Sequence, residues 1–359
     1  MGNVKGELPP RFKTRLEQLV FYAAAAGELS SDLYKVIGIS DVNYRMQLSK
    51  LRNKNILKTI KSDALTGYIL TNAGKRNLKK DNRYSNLIKV ANNNVVKRKR
   101  MQLFSKMYAV LDSRGFEYET YLKPALSTSI PQRAKKNELY FYTAKEFKNA
   151  QDNNGITIKG SKSYGVLITK NKVIPVYMTT QTLPEFYATE FQYIQTLKRY
   201  FYNSRIDSAV MFCNDIYSVF NISKSILNFN EIGEGRNITD SGYYTHLFLI
   251  PYYEHTKLLL WSLYNENKLK QLINQKEQIV SKKTLFVNDG FKNNIPVLYM
   301  LNFDVVKLNM FLQYIRIANS KAIIITFDFF KDIIIRLANN PNIKVVTVNS
   351  KDMNERCDL

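Results

Sequence analysis

Histidine and cysteine are scarce in this chain: His246, His255, Cys213 and Cys357 are the only ones among 359 residues. Two histidines exclude a three-histidine metal cradle, and with it the metal centre of the common single-strand nicking relaxases. The cysteines are far apart and lack CxxC spacing, so neither a zinc site nor a disulfide framework is expected. Long apolar runs are also missing. The longest, such as residues 321–330, fall well short of a membrane span, and the N-terminus lacks a signal-peptide pattern. There is no Walker P-loop and no GxGxxG; Gly233-Glu234-Gly235 is too short for either. Together these absences predict a cytoplasmic protein with no membrane partner and no cofactor.

Acid is the other shortage. Asp and Glu number 30 against 53 Lys and Arg, a net charge of +23. Such an excess calls for an anionic partner. It is also uneven. Residues 1–114 hold 23 basic and 8 acidic side chains, a net of +15, so most of the excess lies in the first third. With 45% hydrophobic residues the chain has enough apolar material for two or three folded domains.

In that first third, residues 11–26 carry Phe12, Leu16, Leu19, Val20 and Ala23 at helical spacing, and Gly27 stops the helix. Ser30 is placed to cap a second helix that turns Leu33, Val36 and Ile37 inward. Gly38-Ile39-Ser40 makes a tight turn, and Ser40 or Asp41 caps a third helix ending near Lys54. The spacing assigns Val42, Met46, Leu48 and Leu51 to its inner face. Asn43, Tyr44, Arg45, Gln47, Lys50, Arg52 and Lys54 go to its outer face. Two helices joined by a glycine turn, the second basic, form the helix-turn-helix pattern. Residues 56–60 and 68–70 then alternate as two short strands around a loop, and Thr71 caps a fourth helix. This is a winged arrangement. Lys58, Lys61, Lys75 and Arg76 fall where a wing and its flank meet phosphates. Residues 82–114 read as a long connector helix carrying Lys97-Arg98-Lys99-Arg100, either a phosphate clamp or a solvated face.

From Gly115 short strands and helices alternate, which predicts an α/β region. Strands are expected near 138–144, 164–169, 172–179, 209–213, 244–251, 284–288, 297–302, 322–327 and 343–348, with helices between. The last three frame a parallel βαβαβ, and the final ten residues look polar and loose. Pro175 is expected at a sheet edge. Twenty-four tyrosines leave no single one marked as a nucleophile. Asp328, after a buried strand, is expected to cap the next helix.

The combination of this N-terminal pattern, a connector, and a hairpin reading Ser163-Tyr164-Gly165-Val166-Leu167-Ile168-Thr169 and Val173-Ile174-Pro175-Val176-Tyr177-Met178-Thr179 resembles the replication-relaxation family of Gram-positive plasmids and conjugative elements. The resemblance covers roughly residues 10–215. It implies a second domain of restriction-endonuclease type, in which an acid on one hairpin arm and Glu-x-Lys on the other hold a metal. Here the arms offer Tyr164-Gly165 and Val176-Tyr177-Met178 instead. Neither supplies the carboxylate that a cation over a phosphate needs, and Glu185, Glu190, Asp207 and Asp215 are the nearby acids.

The expected organisation is therefore a winged helix-turn-helix over 1–81, a basic connector over 82–114, a degenerate endonuclease-like α/β domain over 115–230, and a C-terminal α/β extension over 231–359. The expected function is non-enzymatic, sequence-specific binding of double-stranded DNA in replication, transfer or their control. No catalytic residue and no metal ligand is assigned. Replication or transfer proteins and a second copy of the chain are the further partners. A metal-dependent nicking enzyme and a ligand-responsive repressor are the alternatives.

Overall fold

The computed structural model describes residues 8–62, 65–81, 84, 88–119, 123–124, 126, 139–151, 161–169, 172–179, 188–201, 206–227, 244–252, 255–277, 279–280 and 288–357. The chain is a mixed α/β protein with several sheets, divided into two compact units: Met1–Phe116 with Tyr252–Thr256, and Glu117–Pro251 with Lys257–Leu359.

The first unit is built around α1 (Arg15–Ala26). Every residue from Gln18 to Ala26 is buried, and the run of four alanines lets neighbours approach closely on all sides. The helix begins at Thr14, which accepts from Glu17 N, and not at Arg11 as the periodicity predicts. After Gly27, which closes α1 at φ 92°, Leu29–Ser30 forms a two-residue strand, β1. Ser30 therefore does not cap the second helix; α2 (Tyr34–Ile37) is a single turn with no side-chain cap. α3 (Asp41–Asn53) starts at Ser40, whose hydroxyl accepts from Asn43 N, as expected. β2 (Leu57–Ser62) and β3 (Leu65–Leu70) form an antiparallel hairpin, and the sheet order is β1-β3-β2. Thr71 caps α4 (Asn72–Lys79), also as expected. The long helix is shorter than its periodicity suggests. α5 spans Val95–Ser113 and is capped by Asn94, while residues 88–94 are not helical; residues 82, 83 and 85–87 lie outside the described residues.

The second unit contains two sheets. The six-stranded one runs β4-β5-β6-β7-β8-β9, where β4 (Phe116–Glu117) is the point at which the chain passes between units. β5 (Leu139–Thr143), β6 (Gly165–Ile168) and β7 (Val173–Thr179) are antiparallel neighbours. β8 (Ser208–Cys213) and β9 (His246–Pro251) continue in parallel with β7. Helices α6 (Ala144–Gln151), α7 (Ala188–Tyr200) and α8 (Ile216–Leu227) lie between strands in the chain. Pro175 is not at an edge. β7 is central, but its pairing with β8 begins only at Val176, so the missing N–H falls outside that ladder.

α9 (Thr256–Tyr264) and α10 (Glu266–Glu277) lead to the second sheet, ordered β10-β11-β12-β13. β10 (Gly290–Lys292) is antiparallel to β11 (Ile295–Met300). β11, α11 (Val305–Ala318), β12 (Ala322–Phe327), α12 (Lys331–Ala338) and β13 (Ile343–Val348) form the expected parallel βαβαβ. The strand anticipated over 284–288 falls largely outside the described residues. The C-terminus is not loose: Asn349 caps α13 (Ser350–Arg356), and Met353 and Cys357 are buried. Among the described residues no helix is long and apolar enough to cross a membrane.

Candidate nucleic-acid interface

α3 turns a different face inward from the one its sequence suggests. Tyr44, Leu48 and Leu51 are buried, at i, i+4 and i+7, while Val42 is 78% exposed and Met46 47%. Tyr44 was expected outside. Its hydroxyl instead donates to Ser30 O at 2.7 Å, and its ring lies against Tyr34. Burial, with Tyr68 and Asp32 nearby, holds its phenol well above the ordinary range. A tyrosine at one end of an apolar stripe fits inside when a backbone carbonyl meets its hydroxyl.

The outer face of α3 then runs through Val42, Asn43, Arg45, Met46, Lys50, Arg52 and Lys54, with Gln47 half-buried at its margin. Arg45 is paired within the helix to Asp41, 2.6 Å away, and Gln47 Nε2 donates to Asn43 Oδ1. Arg52 reaches only Thr59, at 3.4 Å. Lys50 and Lys54 have no ion pair among the described residues. Lys58 and Lys61 are exposed on β2, Arg76 is exposed on α4, and Lys75 is half-buried there.

The run at 97–100 separates into two roles. Lys97, Lys99 and Arg100 are exposed. Arg98 is 1% exposed and belongs to neither a phosphate clamp nor a solvated face. Its guanidinium meets the fully buried Glu28 in a two-pronged pair, Nε to Oε2 at 2.9 Å and Nη2 to Oε1 at 2.8 Å. Nη1 donates to Ser62 Oγ, and Nη2 also reaches Ile60 O and Leu65 O. Gln102, one turn on, donates to Glu28 Oε1 and Thr66 O. One guanidinium thus fixes the start of α5 to the closed end of the β2–β3 hairpin. Gly67 leaves room for this cluster: a Cβ there would stand 2.0 Å from Glu28 Oε1. The fork geometry of arginine suits this arrangement, and lysine could not make it. Sequence periodicity could not reveal the network, because Glu28 and Arg98 are 70 positions apart.

Of the acids near the β6–β7 hairpin, Glu190, Asp207 and Asp215 each accept hydrogen bonds within the second unit. Glu190, in the first turn of α7, is buried and accepts from Tyr177 Oη at 2.6 Å, Ser161 Oγ at 2.9 Å and Lys162 N at 2.9 Å. Tyr177 in turn shares a 2.8 Å contact with Tyr244 Oη, and burial holds both phenols well above their usual range. Glu185 lies outside the described residues. Asp207 accepts from Ser208 Oγ, and Asp215 accepts from Ser218 N and Oγ at the start of α8. Asp328 does not cap a following α-helix; it accepts from Phe329 N and from Ser350 N, where α13 begins. His246 Nδ1 lies 2.6 Å from Asp304 Oδ2, and that hydrogen bond raises its pKa against the effect of burial. Among the described residues no three His, Cys, Asp or Glu side chains gather as a metal site. No protein family, no curated protein and no solved structure matches this chain.

Proposed function

We propose that this protein is a non-enzymatic, sequence-specific DNA-binding protein whose first unit is a winged helix-turn-helix. In this reading α2 and α3 form the helix-turn-helix, α3 enters the major groove, and the β2–β3 hairpin is the wing. The observation that carries it is the outer face of α3. Exposed Arg45, Lys50, Arg52 and Lys54 and half-buried Asn43 lie outside the core on a helix whose one acid is Asp41, while Tyr44, Leu48 and Leu51 hold the other side in the core. Exposed Val42 and Met46 are costly in water and suit the methyl groups of thymine. Lys58, Lys61, Lys75, Arg76, Lys97, Lys99 and Arg100 supply phosphate contacts around this helix. Tyr44 and Arg98 drop out of the contact set, because both are consumed inside the unit.

Service in replication or transfer of a mobile element, as a homodimer or with transfer proteins in a cytoplasmic setting, rests on the resemblance to the replication-relaxation family. Three antiparallel strands, a helix and a fourth parallel strand, as in β5 to β8, are compatible with a degenerate endonuclease-like domain. The test is selection from a random duplex library by the full chain, followed by fluorescence anisotropy on the enriched sequence. Enrichment of one motif that the K50E/R52E double variant no longer binds is the expected outcome. Failure to enrich any motif, with unchanged weak affinity in the double variant, sinks the proposal.

A further inference from the structure

In the second unit, α8, α11 and α12 line an open cavity of about 460 Å³. α11 contributes Asn309, Gln313 and Arg316 at i, i+4 and i+7, a single helical face. α8 contributes Phe220 and Lys224, one turn apart, and α12 contributes Arg336 from its last turn. Among the described residues no carboxylate lines the cavity.

Lys224, Arg316 and Arg336 make no ion pair or side-chain hydrogen bond among the described residues. All three are solvent-exposed at the cavity's rim, whereas less exposed cations of the same unit are paired. Lys270 pairs with Glu266 and Asp289, Lys307 with Asp289, and Lys123 with Glu146. Three unneutralised cations around one concavity repel each other, and an anion seated among them removes that repulsion. The volume falls within the roughly 300–1,000 Å³ of small-molecule sites, more room than a bare inorganic anion needs. Phe220, half-buried at the wall, offers a ring face, and the amides of Asn309 and Gln313 offer both donors and acceptors.

We propose that this cavity binds a nucleotide-class ligand, a phosphate ester carrying an aromatic ring. The phosphate lies among Arg316, Arg336 and Lys224, the ring against Phe220, and the ring's polar edge toward Gln313 and Asn309. The same chemistry exists in free nucleotides and in a nucleic-acid strand; the bounded volume, about that of one small-molecule ligand, favours the free nucleotide. This site is separate from the α3 surface, and neither inference depends on the other.

Calorimetric titration of the full chain with ATP, AMP, inorganic phosphate and an oligo-dT single strand, in separate runs, tests it. Saturable binding of ATP or AMP at one site per chain is expected, with phosphate alone weaker. R316Q and R336Q should each weaken nucleotide binding by roughly tenfold or more, while K351Q, on α13, leaves it unchanged. Circular dichroism checks that each variant is folded. Three outcomes overturn the proposal: no saturation by either nucleotide at millimolar concentration, nucleotide affinity unmoved in the R316Q/R336Q double variant, or Arg316-dependent binding of oligo-dT alone. Duplex affinity of K50E/R52E is a separate readout, so the two inferences can fail independently.

Discussion

At the scale of single residues, Arg45 and His246 each carry a prediction. Arg45 is exposed on the outer face of α3, held by Asp41 in a pair that solvent screens. If it reads a guanine edge, R45A lowers affinity for the preferred sequence by about 1–3 kcal/mol and relaxes preference at one position only. Anisotropy on single-base variants of the selected duplex measures this; a uniform loss across sequences would make Arg45 a phosphate contact. His246 concerns stability. Its folded pKa is raised, first by the hydrogen bond to Asp304. The pair therefore stabilises fully below the unfolded imidazole value of about 6.5 and loses that contribution as pH rises through the folded value. Thermal unfolding should show a fall in stability over that interval in the native chain, and H246Q should flatten it. An unchanged pH profile in H246Q would place the titration elsewhere.

Elements were legible in proportion to how local their causes are. The caps at Ser40 and Thr71, the glycine turn at Gly38 and the parallel βαβαβ follow from neighbouring residues, and the structure has them. The rotation of α3 is not legible in the sequence, because Val42 and Met46 look like core residues and Tyr44 like a surface one. Only the carbonyl of Ser30, brought near by β1, makes Tyr44 an inner residue. The basic run at 97–100 was misread for the same kind of reason: Glu28 is distant in sequence, and helical spacing alone cannot say which of four cations finds it. The hairpin carries the matching prediction. R98A leaves Glu28 buried and uncompensated, at a cost of about 3–5 kcal/mol. Hydrogen exchange over 57–70 should rise sharply in R98A and return most of the way in E28L/R98M. No change in exchange would mean the guanidinium does not hold the hairpin.

For the whole molecule, charge is the governing quantity. With +15 of the +23 in residues 1–114, association with duplex DNA should be dominated by counterion release. If six phosphates are met, log K falls against log salt with a slope near −5. Replacing Lys97, Lys99 and Arg100 together by Gln should reduce that slope by about 3 on all sequences alike, without changing the preferred motif. A slope unaffected by this triple change would remove α5 from the contact surface. The cavity between α8, α11 and α12 was invisible in the sequence, because its cations come from three elements widely separated in the chain.

The rivet formed by Arg98 has a kinetic consequence. A hairpin that is loose in the free protein must be captured and ordered during encounter, which slows docking and subtracts from affinity. Here the strands beside the loop are fastened from behind before any duplex arrives. On the proposed DNA-binding reading, the hairpin's cations would meet the phosphate backbone already ordered.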